Sequence, residues 1–137
     1  TGGEQDCMMA DWTRMIDGRV VDVVQPDVCY LGGLTRTLRV AKMAEDAGLP
    51  VTPHCANQSM VTLFTMHLLR AIPNAGPYLE FSIEGLDYYP WQDGLFVASP
   101  YEIVDGRATV TDTPGWGVDV HPEWLARSRY QASRLEL

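Results

Sequence analysis

Residues 20–27 read VVDVVQPD, and this stretch decides the fold class. Four valines around one aspartate form a β-branched, nearly apolar run, which is typical of a buried parallel strand. Pro26 closes the run and Asp27 follows it directly. The role of the Asp27 carboxylate depends on which residues follow the neighbouring strands.

Three further segments end in the same way, although they are shorter or weaker. They are the stub TGG (1–3), LPVTP (49–53) and GPYL (76–79). A polar residue follows each of the four segments, and these residues recur about every 25 positions, which indicates a repeated unit. The four polar residues are Glu4, Asp27, His54 and Glu80.

Helical patterns fill the gaps between the four segments. They cover Gln5 to Ile16, Leu34 to Ala47, and a stretch that Ser59 caps and Pro73 ends. The predicted order is therefore β-α-β-α-β-α-β, an α/β fold with right-handed crossovers and a parallel sheet. Both a (β/α)8 barrel and an open doubly wound sheet fit this order, and both place their sites at the carboxyl ends of the strands.

Residues 83–137 break the repeat and form a tail that we expect to pack outside the sheet. The sequence YEIVDGRATV (101–110) predicts a hairpin around Asp105-Gly106. A short helix is expected from Pro122 to about Arg134, with the proline in its first turn.

Composition excludes several classes of function. The 137 residues carry a formal net charge of −8, which argues against nucleic-acid and anionic-membrane surfaces. No apolar run approaches the ~20 residues of a membrane span, and the first residues do not resemble a signal peptide. Three cysteines without CxxC spacing favour a reducing cytoplasm over a disulfide framework.

The polar strand ends suggest acid–base chemistry. If Asp27 and His54 end adjacent strands, about 4.8 Å apart, the carboxylate can orient the ring and raise the basicity of its other nitrogen. That arrangement makes a general base, whereas a lone histidine at a rim would be only structural. Each of Glu4 and Glu80 is either a solvated rim carboxylate or a functional group, that is, a ligand or an acid. Cys55 is interpreted as a packing residue.

The residues also resemble a known family. TGGE (1–4), the stretch from VVQPD to PHCAN (23–57), YLEFS (78–82) and PGWGVDV (114–120) are similar to the C-terminal half of the mandelate racemase and muconate lactonizing enzyme group of the enolase superfamily. The ordered set of QPD, GG, PH and LE is the most specific part of this likeness.

The resemblance implies a modified (β/α)8 TIM barrel with an N-terminal capping domain. Residues 1–82 would be the second half of that barrel, strands five to eight, and residues 83–137 a tail that returns to the cap. Glu4 would be the last of three carboxylates that hold Mg²⁺. Asp27 and His54 would form the catalytic dyad, and Glu80 would donate a hydrogen bond to the substrate carboxylate.

The function that the resemblance implies is Mg²⁺-dependent removal of the proton α to the carboxylate of a hydroxy acid or acid sugar, leading to dehydration. Racemisation or epimerisation is an alternative, and a non-catalytic binding module is another. The remaining metal ligands and the cap would precede Thr1. We therefore expect this chain to be part of a protein roughly two to three times as long, a cytoplasmic homo-oligomer whose partner is a small carboxylate substrate.

Overall fold

The computed structural model describes residues 1–134 of the chain. Short parallel segments alternate with helices in the first part, and a loop-rich tail follows. The elements are α1 (Met9–Asp17), α2 (Leu34–Asp46), α3 (Met60–Ala71), a 3-10 turn (Pro90–Gln92), β1 (Ile103–Val104), β2 (Arg107–Ala108) and α4 (Pro122–Arg127).

Four segments pair side by side in chain order, and every pairing is parallel. Gly2 pairs with Val24, Val24 with Val51, and Val51 with Ala75. The predicted alternation of strand and helix is thus confirmed. Val24 and Val51 are fully buried between the helices, so these two segments form the centre of the sheet.

The pairing is limited to isolated bridges, and proline explains why. Pro26, Pro50 and Pro53 lie within the two central segments and have no N–H to donate. Their carbonyl groups still accept: Val24 N donates to Pro50 O over 2.9 Å, and His54 N donates to Pro26 O over 3.0 Å. The ladder is therefore short but keeps its register up to His54.

The fourth segment pairs earlier than the sequence predicted. Its contacts with Val51 are made by Ala75 and by Gly76, whose N–H donates to Val51 O over 2.7 Å. Tyr78 is 76% exposed, so the run before Glu80 is not the buried strand that its composition suggested.

Helix α1 begins at Met9, four residues later than predicted. The preceding residues form a turn in which Asp6 N donates to Gly3 O over 3.0 Å, and the Trp12 indole donates to Asp6 O over 3.0 Å. Other helix boundaries follow the expected signals. The Ser59 hydroxyl accepts from Val61 N at the start of α3, and Gly48 has a φ of 69° just after α2.

The apolar faces of the first helices surround the parallel segments. α1 contributes Trp12 and Ile16, while α2 contributes Val40, Ala41 and Ala44. Burial of such side chains is the main favourable term that holds this part of the chain together.

The tail contains the predicted hairpin. β1 and β2 pair antiparallel around Asp105 (φ 49°) and Gly106 (φ 72°), and two positive φ values in a two-residue loop are typical of a type I′ turn. Helix α4 ends at Arg127 rather than near Arg134. Tyr130 beyond it is 90% exposed, and a short helix without packing gains too little to extend.

The tail docks on α3. Trp116 lies 4.6 Å from Phe64 between ring centroids, and its carbonyl oxygen is 3.2 Å from His67 Nε2. Arg70 forms an ion pair with Asp112 at 2.7 Å. The tail thus packs outside the sheet, as expected, whereas its return to a capping domain stays a prediction. Within residues 1–134, every helix is too short or too polar to cross a bilayer.

Candidate active site at the ends of the parallel segments

Asp27 and His54 meet where the two central segments end. They are direct partners in a parallel bridge, and His54 Nδ1 lies 2.8 Å from Asp27 Oδ2. The expected contact is therefore present. The side chains are 6% and 14% exposed, so the pair is largely shielded from water.

The second oxygen of Asp27 is also engaged. Its Oδ1 atom accepts from the backbone N–H groups of Cys29 over 2.7 Å and Tyr30 over 2.8 Å. These backbone donors fix the orientation of the carboxylate and leave Oδ2 as an acceptor for His54. His54 then donates its Nδ1 proton to Oδ2, and the lone pair of the neutral ring lies on Nε2.

Glu80 completes the cluster on the open side of His54. Its Oε1 atom lies 3.9 Å from His54 Nε2. Its Oε2 atom accepts from Gln25 Nε2 over 3.2 Å and from Cys55 N over 3.3 Å. The side chain is 38% exposed, so this carboxyl group faces both the histidine and the surroundings. The structure brings three of the four predicted site residues together.

Gln25 is a member of the cluster that the sequence analysis missed. A signal was available, because Gln25 is a polar residue two positions before Asp27, at the end of a mostly apolar run. Residues i and i+2 of an extended chain lie on the same face. The face that carries Asp27 must therefore also carry the Gln25 amide.

Cys55 is buried, which agrees with its interpretation as a packing residue. Its thiol donates to Glu80 O over 2.6 Å. Burial raises the pKa of the Cys55 thiol to about 11, so the group is protonated near neutral pH and is a poor nucleophile.

Ser82 and the tail hold the loop that follows His54. Gln58 N donates to Gln92 Oε1 over 2.6 Å, and the Gln58 amide donates to Ser82 O over 3.0 Å. The Tyr101 hydroxyl donates to Ser59 O. We call these contacts the loop clamp. They join residues that are far apart in the chain, so no local sequence pattern predicts them.

Glu4 follows the first parallel segment, two residues after Gly2, which pairs with Val24. Its carboxylate is the kind of hard oxygen donor that Mg²⁺ prefers. Residues 1–134 contain no group of three or more His, Cys, Asp or Glu side chains placed to hold a metal ion together. The described chain therefore offers one suitable donor rather than a metal centre, and the role of Glu4 stays a prediction.

The other histidines lie away from the cluster. His67 packs edge-on against Trp116, with ring centroids 5.2 Å apart. His121 caps α4, where its Nδ1 atom accepts from Glu123 N over 3.4 Å. His54 is thus the histidine that the described residues pair with carboxylates at the strand ends.

Residues 1–124 match the sequence profile described as enolase C-terminal domain-like. The chain belongs to this family. Among curated members of similar sequence, L-rhamnonate dehydratase of Saccharopolyspora erythraea is 27% identical over 95% of this chain and 32% of its own length. Arabinonate dehydratase of Saccharolobus solfataricus is 30% identical over 74% of this chain and 26% of its own length. The chain thus spans about a third or less of these relatives.

Solved structures give the same assignment. A protein from Roseobacter denitrificans, provisionally described as a racemase, is 75% identical with a TM-score of 0.92, over 98% of this chain and 37% of that one. A mandelate racemase subgroup enolase from Agrobacterium tumefaciens is 28% identical with a TM-score of 0.75, over 91% and 33%. The family resemblance of the sequence is thereby confirmed.

A third structure was solved with ligands. It is a protein from Burkholderia xenovorans, provisionally described as an L-alanine-DL-glutamate epimerase, bound to magnesium and fumarate. It is 28% identical with a TM-score of 0.72, over 84% of this chain and 27% of that one. Dehydratases and provisionally described racemases and epimerases therefore all occur among the relatives of this chain.

Proposed function

We propose that this chain supplies the general base of an enzyme that removes the proton α to the carboxylate of a hydroxy acid or acid sugar, most often to eliminate water. The observation that carries the proposal is the hydrogen bond between His54 Nδ1 and Asp27 Oδ2. It leaves Nε2 as a basic nitrogen that faces Glu80. The acid-sugar dehydratases among the relatives support this reaction class.

The first step is proton transfer to His54. The C–H bond next to the substrate carboxylate breaks, the proton moves to Nε2, and the electron pair enters the carbon–carbon bond to give an enediolate. Asp27 stabilises the imidazolium that results, because its negative charge lies next to Nδ1. Glu80, in its protonated form, donates a hydrogen bond to an oxygen on which negative charge develops.

The second step returns the proton. The enediolate expels the hydroxyl group from the neighbouring carbon, and the His54 imidazolium protonates it to water. The enol that remains becomes a 2-keto acid when it gains a proton on carbon. His54 ends neutral, so one residue serves as base and then as acid.

Magnesium belongs to the proposal as well. A bound Mg²⁺ supplies positive charge that offsets the second negative charge of the enediolate. Glu4 offers one oxygen ligand, and we propose that the others come from outside this chain. The magnesium in the similar Burkholderia xenovorans structure supports this cofactor.

A second candidate is racemisation or epimerisation. The Roseobacter denitrificans and Burkholderia xenovorans proteins favour it, since one is provisionally described as a racemase and the other as an epimerase. The two reactions share proton removal by His54. They differ in whether the α carbon is reprotonated on the opposite face or the neighbouring carbon loses a hydroxyl group.

The wider architecture is also proposed. Residues 1–82 form the second half of a (β/α)8 barrel, and the tail returns to a capping domain in a homo-oligomer. The three cysteines are free thiols, which fits the proposed cytoplasmic location.

A screen of acid sugars with the full-length protein and Mg²⁺ tests the function. We expect a 2-keto product from one or a few substrates. Exchange of the α-proton with solvent deuterium without a keto product would favour the racemase. His54→Asn should abolish both signals, while His67→Asn, on the outer face of α3, should leave them intact. Full activity of His54→Asn would refute the proposed base. If the wild-type protein gives neither a 2-keto product nor α-proton exchange with any acid sugar, the result would favour a non-catalytic module.

A further inference from the structure

We infer that Gln25 is a positioning residue that sets the orientation and the protonated oxygen of Glu80, an inference that rests on the proposed role of Glu80 as an acid. The Gln25 amide donates to Glu80 Oε2 over 3.2 Å. This bond joins the second parallel segment to the chain that follows the fourth. The same segment also carries Asp27, which bonds to His54.

The Oε2 atom receives a second donor, the backbone N–H of Cys55, over 3.3 Å. A carboxyl oxygen has two lone pairs in its plane, and two N–H groups occupy them. A proton on Oε2 would have to displace one of these donors. The neutral carboxyl group therefore carries its proton on Oε1.

The consequence concerns the space between the acid and the base. Oε1 is the atom that lies 3.9 Å from His54 Nε2. The Glu80 proton and the lone pair of His54 thus face the same small volume, where one substrate can meet both. Gln25 acts through Glu80 and touches neither the proton donor atom nor the base.

Two other groups near Glu80 do not take over this task. The Cys55 thiol donates to the backbone carbonyl of Glu80 rather than to its carboxyl group. The Cys55 N–H supplies only one of the two donors. Without the Gln25 amide, Oε2 has a free lone pair, and the carboxyl group can rotate or carry its proton on either oxygen.

Infrared difference spectroscopy of the full-length protein tests the hydrogen bond itself. Acidification should produce a carboxylic C=O stretching band that is absent from Glu80→Gln, which assigns it to Glu80. Gln25→Met is unbranched and similar in length but has no N–H, so the band should move to higher frequency. Gln25→Asn, too short to reach, should do the same and serves if Gln25→Met does not fold. Gln131→Met, an exposed site, is the control.

The kinetic effect should appear in kcat rather than in KM. A hydrogen bond that orients an acid matters most as charge develops, so Gln25→Met should lower kcat by about 10- to 100-fold with KM nearly unchanged. The two proposals fail separately. A wild-type protein without activity refutes the proposed function, whereas an unmoved infrared band in both Gln25 variants overturns the inference whatever the screen gives.

Discussion

His54 Nδ1 lies 2.8 Å from Asp27 Oδ2, while the other oxygen of Asp27 accepts two backbone N–H groups. The carboxylate is thus held from its own loop before it meets the imidazole. This arrangement makes Asp27 a fixed acceptor, and the ring has one favoured orientation and one favoured tautomer.

Replacement of Asp27 by asparagine should remove that control. An amide has no charge to stabilise the imidazolium, and its NH₂ group can turn towards Nδ1 and favour the wrong tautomer. We expect about 10²- to 10⁴-fold less α-proton exchange in deuterium oxide. Asp22→Asn, an exposed aspartate on the same segment, should change the exchange rate by less than about twofold. Equal losses in the two variants would mean that general charge, not this contact, sets the rate.

The glycine before Glu4 should be intolerant of any side chain. A Cβ atom at Gly3 would lie 2.3 Å from the Trp12 ring, and Gly3 has a φ of 105°. Gly33 has the same φ but nothing within 4 Å of its Cβ position. Gly3→Ala should therefore cost about 1–3 kcal/mol more than Gly33→Ala, since overpacking adds to backbone strain. Thermal unfolding of both variants measures the difference in the free energy of unfolding. Equal losses would show that the Trp12 ring moves aside without cost.

The sequence was informative wherever a local pattern had a direct structural consequence. Polar residues after apolar runs predicted that Asp27 and His54 would meet, and the DG pair predicted the hairpin turn. The predicted start of α1 was wrong because the hydrogen bond from Trp12 to Asp6 holds the residues before Met9 in a turn. A helical pattern of apolar residues cannot register such a competing contact.

The rest of the site depends on contacts between distant residues. Gln25 reaches Glu80 across 55 positions, and Gln92 reaches Gln58 across 34. Their partners are set by the packing of the tail and of the segments, not by spacing along the chain. The fourth segment shows the opposite error, because Tyr78 looks like a buried strand residue but is mostly exposed.

The loop clamp should control how often the loop after His54 opens. Tyr101→Phe removes the hydroxyl group that donates to Ser59 O and leaves a half-buried carbonyl without that partner. The cost should be about 1–3 kcal/mol. Hydrogen exchange of residues 55–59 should rise by about one to two orders of magnitude if local opening carries this cost.

Tyr130→Phe is the matched control for the loop clamp. Tyr130 is 90% exposed, so the loss of its hydroxyl group should leave the exchange of residues 55–59 unchanged. Unaltered exchange in Tyr101→Phe would indicate that the Gln58–Gln92 and Gln58–Ser82 bonds hold the loop without help.

Docking of the tail on α3 should depend on Trp116 rather than on the ion pair beside it. Arg70 and Asp112 are 54% and 88% exposed, and such pairs contribute about 0–1 kcal/mol. Trp116 packs against Phe64 and His67 and is 37% exposed, so its replacement by alanine should cost about 1–3 kcal/mol. Limited proteolysis of the tail should therefore accelerate strongly in Trp116→Ala and little in Asp112→Asn. The reverse order would assign docking to the charges.

The Cys55 thiol should make stability fall at alkaline pH. An unburied thiol has a pKa near 9.0, and burial raises the pKa of Cys55 in the folded protein to about 11. Below pH 9 both states keep the proton, so this group contributes no pH dependence there. Between these two values the unfolded state binds fewer protons than the folded state, and the free energy of unfolding therefore decreases as pH rises.

The difference between wild type and Cys55→Ala isolates this effect, because the other titrating groups are common to both proteins. Alanine removes the thiol at a constant packing cost, so the advantage of the wild type should shrink by about 2–3 kcal/mol from pH 9 to pH 11. Thermal unfolding across this range measures it. Cys7 is an exposed cysteine, so the stability of Cys7→Ala should have the same pH dependence as that of the wild type. A constant gap between wild type and Cys55→Ala would mean that the thiol ionises as readily in the fold as in the unfolded chain. In that case the hydrogen bond from the Cys55 thiol to Glu80 O would be lost when the thiolate forms.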